Sequence, residues 1–109
     1  MKSEIYALYK RPGKSLTEVR IPNELEWMQV AVEGYIEAVP LRPDLVMLVN
    51  EEGKLKGMTP NFRINLGGYW DEIAGPALFV GVDGEDFDDC PLNKVDLVGW
   101  LLGMETEVL

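Results

Sequence analysis

Residues 5–9, Ile-Tyr-Ala-Leu-Tyr, are rich in β-formers and predict a first strand. The Pro12-Gly13 pair marks a turn. Leu16 to Ile21 then alternates apolar and polar residues, the period of a half-buried strand, so the chain opens with a hairpin. The period changes after Pro22. Leu25, Met28 and Val32 recur at helical spacing, flanked by Trp27 and Ala31, and predict a helix buried along that stripe. Asn23 and Glu26 stand where a capping box needs them, and Gly34 stands where a helix can stop in a left-handed turn.

Tyr35 to Val39 predicts a third strand, ended by Pro40. Leu45 to Val49 is apolar on both faces, which places it at the centre of a sheet. Asn50 to Lys54 reads as a tight hairpin with Gly53 at positive φ, after which Lys54 to Met58 pairs back. Residues 59–70 mix Pro, Asn and Gly with large apolar residues and read as an ordered loop. Ala77 to Val82 is the last clear strand, and Asp83 to Asp89 an acidic loop. Pro91 suits the first turn of a closing helix, capped near Asp89 or Cys90. Its stripe is Leu92, Val95, Val98 and Leu102, broadened by Leu97, Trp100, Leu101 and Met104. A helix apolar over so much of its surface is either sandwiched in the core or covered by another chain. The element order implies an α+β fold: a small antiparallel or mixed sheet with about two packed helices.

Composition narrows the chemistry. At 109 residues the chain has room for a single domain, with residues 1–82 as scaffold and 83–109 as acidic loop plus apolar helix. There is no histidine and one cysteine, Cys90. That removes the usual general base, the histidine-dependent triads and thiolate-rich zinc sites. No catalytic residue, metal or cofactor is expected. The net charge is −9, which disfavours direct nucleic-acid binding. Most of the excess falls late: residues 83–109 hold eight acids and one base, Lys94. Asp83 to Asp89 has the density of a calcium loop without its order, since neither frame puts glycine at the sixth position. Cys90 has acids beside it, which raise a thiol pKa rather than lower it. Residues 1–9 contain no long apolar run and no stretch could span a membrane, so a cytoplasmic protein is expected.

Three segments carry a resemblance: Tyr35-Ile-Glu-Ala-Val-Pro40, Asn50-Glu-Glu-Gly-Lys-Leu-Lys-Gly57, and Asp71-Glu-Ile-Ala-Gly75 followed by Val80-Gly81. With Asn61 between them, this order resembles a domain-of-unknown-function family of small proteins carried by phages, plasmids and conjugative elements of Gram-positive bacteria. The resemblance runs from about Val19 to Val82; the C-terminal helix is longer and more apolar than the family's. It implies a mobile-element origin and a small α+β fold, and brings no catalytic residues.

The first functional expectation is a non-enzymatic binding protein that inhibits or modulates a host protein with a basic surface, such as a defence system. Trp100, Leu101 and Met104 would anchor the partner, and Asp86, Asp88 and Asp89 would steer it. The same helix could make a homodimer. A second expectation is an acidic mimic of nucleic acid. A third is a small-ligand binder, with Glu37, Asn50, Asn61, Arg63 and Asp71 converging on one surface. In its nucleotide form, Arg63, Lys54 and Lys56 would meet phosphate and Trp70 or Tyr69 would stack on a base.

Overall fold

The computed structural model describes residues 2–108. It contains two helices and two antiparallel sheets, an α+β fold as expected. The larger sheet holds β1 (Glu4–Lys10), β2 (Thr17–Pro22), β3 (Ile36–Arg42), β4 (Leu45–Asn50), β7 (Ala77–Asp83) and β8 (Asp86–Asp88). Its order is β2-β1-β7-β4-β3, with β8 also on β7. The smaller sheet, in the order β6-β5-β9, joins β5 (Pro60–Asn65), β6 (Trp70–Ala74) and β9 (Thr106–Val108). Helix α1 (Leu25–Val32) covers one face of the large sheet. The small sheet and helix α2 (Lys94–Gly103) cover the other.

Strand alternation sorts the core into two layers. Leu45, Met47 and Val49 of β4, with Ala77 and Phe79 of β7, point toward Phe62, Ile64, Ile73, Leu97 and Leu101. Their neighbours Val46, Leu48, Leu78 and Val80 point toward Met28 and Val32 of α1. Both faces of β4 are therefore covered, and all six of its residues are buried, the central placement that its apolar run predicts.

Several elements differ from expectation for identifiable reasons. Pro40 does not end β3: the strand lies at a sheet edge, where proline's missing N–H removes no ladder bond, and a bulge follows between Pro40 and Arg42. Residues 51–57 make no hairpin. Lys56 N–H donates to Glu52 O and Met58 N–H to Gly53 O, and these turns carry the chain to the small sheet. Gly53 is not at positive φ; a Cβ there would collide with the Ala74 carbonyl. The expected loop at 59–70 is a β5–β6 hairpin. It turns at Gly67 and Gly68, whose φ values are 67° and 92°, and the Asn65 side chain accepts from Gly68 N–H.

The expected acidic loop is also paired structure, since Asp83 lies opposite Asp86 and Gly84 turns at φ 64°. Residues 83–108 are built into the body: β8 extends the large sheet, β9 the small one, and Leu97 and Leu101 are core residues. In α1 the first cap position is Glu24, without a side-chain cap. Asn23 instead donates to Lys2 O and Phe87 O, and Leu25 is exposed. No helix among the described residues is long and apolar enough to cross a membrane.

Candidate functional site

Helix α2 begins three residues after Pro91, capped by Asn93, whose side-chain oxygen accepts from Asp96 N–H at 2.8 Å. The buried stripe is the reverse of the one expected. Leu97 and Leu101 are buried, and Trp100 and Met104 pack half-buried against the same core. Val95, Val98 and Leu102 face outward, Val95 at 78% and Leu102 at 64% exposure. Both stripes are apolar, so periodicity cannot choose between them. The core takes the stripe that also supplies Trp100 and Met104, the bulkier filling. Gly99 and Gly103 lie on the outward side with open space before them.

The expected partner-binding residues therefore divide. Leu101 is part of the core. Trp100 lies under the Arg42 guanidinium, 5.9 Å from ring centroid to Cζ, and Arg42 is itself bidentate to Asp44 at 2.9 Å. Asp88 and Asp89 both pair with Lys2, at 3.0 and 2.6 Å. Asp89 also accepts from Tyr6 N–H at 2.8 Å, and Cys90 N–H donates to Tyr6 O. This segment fills the gap where β1 and β7 part company. Asp88 is held below the usual carboxylate range by Asp89 N–H and then Lys2, and Asp89 by Lys2 and then Tyr6 N–H. Asp86 stays exposed at the start of β8.

The five polar residues expected to converge do so only in part. Glu37, Asn50 and Asp71 meet in a cleft of about 400 Å³, with Glu51, Glu52 and Lys54. Its walls are drawn from the three separated segments that carried the resemblance. Directly opposite strand residues share a face, which brings Glu37 and Val49 together there. Lys54 bonds Asp71 at 2.6 Å, and that bond raises the lysine's pKa. Asn50 is buried beneath the cleft and fully engaged: it donates to Val32 O and Glu33 O and accepts from Glu52 N–H.

Arg63 and Trp70 belong instead to the outer face of the small sheet, where Arg63 lies 5.4 Å over the Trp70 ring and pairs with Glu107. Arg63 Nε is buried without a partner among the described residues. Asn61 lies elsewhere again, wholly buried, donating to Lys10 O and Gly75 O. The bulge between Pro60 and Phe62 causes this, because it turns Asn61 and Phe62 both inward. With Lys54 and Arg63 each held by a carboxylate, two of the three cations expected to meet a phosphate are already paired.

Sequence reasoning missed a second hollow. A groove of about 220 Å³ opens between α2, β5, β9 and the loop after β1. Leu16, Phe62, Phe79 and Leu101 line it, and among the described residues Lys10 is the one charged lining residue. Strand β5 and the short β9 supply Phe62, Thr106 and Val108 to this groove, and neither was expected as a strand. Burial pushes the Cys90 thiol pKa up, and among the described residues no group of three or more carboxylates or thiols is placed to hold a metal ion.

No curated protein and no solved structure matches the chain. A family model does match, over residues 1–99, so the chain belongs to the family described as a domain of unknown function, DUF3846.

Proposed function

We propose that this protein is a binding module that docks a partner protein on the outward face of α2, and that it acts from a phage or other mobile element on a host protein. One observation carries the reading: Val95, Val98 and Leu102 lie exposed along one side of a helix whose other side is already buried. An apolar face of this kind, rimmed by polar groups, is a recognised mark of an interaction surface. Asp96 and Glu105 flank it, and Lys94 is the one base on the helix. The complementary partner therefore offers apolar residues framed by Lys or Arg. Gly99 and Gly103 permit a partner backbone to come close. The anchors in this reading are Val95, Val98 and Leu102, in place of Trp100, Leu101 and Met104.

The test is a pair of charge insertions, Val95→Glu and Leu102→Glu, read in a pull-down from host lysate with light scattering in parallel. Both variants should melt like the parent and lose the captured partner. If a self-associated species disappears instead, the partner is a second copy. Unchanged capture and unchanged mass in both variants would end the proposal.

A further inference from the structure

Among the described residues Lys10 is the one buried lysine, at 7% exposure. Its ammonium donates to Asn61 Oδ1 at 2.8 Å and to Arg11 O at 3.0 Å. Both acceptors are neutral, and among the described residues Lys10 makes no ion pair. A lysine ammonium has three hydrogens, so one donor is left over. A chain with nineteen carboxylates places none of the described ones against this buried cation. Buried charges are ordinarily paired, because an uncompensated ion loses its hydration for nothing in return. Burial accordingly lowers the Lys10 pKa.

The same residue borders the apolar groove, whose other walls include Leu16, Phe62, Phe79, Leu101 and Leu102. We infer that the groove is a site for a small aliphatic carboxylate, its chain against these side chains and its carboxylate on Lys10. The charge argues for the anion, since a carboxylate supplies the missing acceptor and the missing counter-charge together. The walls argue for the aliphatic chain. The volume argues for a short one, as it falls below the ~300 Å³ where sites for drug-sized ligands begin. This inference does not depend on partner docking: Val98 and Leu102 border both the groove and the outward face, but Lys10, Leu16, Phe62 and Phe79 belong to the groove alone and Val95 to the outward face alone. A ligand seated there would touch Val98, Leu101 and Leu102 and so brace the helix against the body.

Octanoate and octanol serve as probes, titrated into the full chain and followed by amide chemical shifts. Octanoate should perturb Phe62, Phe79 and Leu101 and bind at least tenfold more tightly than octanol. In Lys10→Met the octanoate affinity should fall to the octanol level. Equal binding of acid and alcohol by the parent protein would overturn the inference, as would an undiminished acid preference in the variant. Should Lys10→Met fail to fold, the parent's acid-to-alcohol ratio decides alone, with Val98→Trp as a groove-filling variant expected to abolish octanoate binding. Retained octanoate binding in Val95→Glu, alongside lost partner capture, would separate the two sites.

Discussion

The two helices are similar in length and composition yet are attached in different ways. The last turn of α1 is tied down from outside. Tyr9 Oη donates to Ala31 O, and Asn50 donates to Val32 O and Glu33 O, which satisfies carbonyls that a helix end leaves open. Met28 and Val32 below are completely enclosed. Among the described residues α2 has its own cap and one side-chain hydrogen bond from outside, from Thr106 Oγ1 to Leu101 O. The three-residue β9 packs beside it. The α1 side is a finished layer of scaffold, and α2, though it sends Leu97 and Leu101 into the core, keeps an apolar side uncovered.

Met28→Ala tests the contrast most severely. Removing a wholly buried side chain should cost about 2–5 kcal/mol in urea unfolding, in a single transition. A separate early transition for α1 would make that helix the loose one and reverse the comparison. Asn50→Ala comes next, at about 1–3 kcal/mol, because it orphans two helix carbonyls and the Glu52 N–H. Hydrogen exchange should then rise in the last turn of α1 and in residues 51–53. Asn93→Ala should cost about 1 kcal/mol. If α2 is the independent element, faster exchange will be confined to residues 94–104, and spread into the large sheet would contradict that.

The smallest effect concerns Lys2. Asp88 and Asp89 have folded pKa values below the unfolded value of about 3.9. Their contribution is therefore complete above that value and disappears as pH falls through the lowered ones. Lys2→Met should melt slightly earlier than the parent at pH 6, and the gap should shrink steadily as the pH falls below the ordinary carboxylate range. A gap that persists in acid would assign Lys2 a role other than pairing.

The sequence was legible where covering was simple. β1, β2, β4 and β7 announced themselves by alternation or by continuous apolar runs, because both faces or one clean face are covered. The small sheet was not. Phe62-Arg63-Ile64-Asn65-Leu66 alternates and Gly67-Gly68 follows, which is a hairpin signature, but Pro60 and Asn61 obscure its start. For the candidate sites, the convergence of Glu37, Asn50 and Asp71 could be anticipated from the resemblance. The placement of Asn61 could not, because it depends on a bulge that moves one residue across the sheet. The outward stripe of α2 was unreadable for a different reason. Where a helix is apolar nearly all round, the identity of the neighbouring layer decides which side is covered, and that layer was the unread one.

The filled gap between β1 and β7 also bears on the order of events during synthesis. Tyr6 N–H finds Asp89, a partner 83 residues further along the chain. Until β7 emerges from the ribosome β1 has only β2 beside it, leaving one edge bare, and Tyr6 N–H waits longer still, for the 89–90 segment. Closing the large sheet thus waits on loop closures that span most of the polypeptide, a topology associated with slow folding and with transient exposure of unpaired strands.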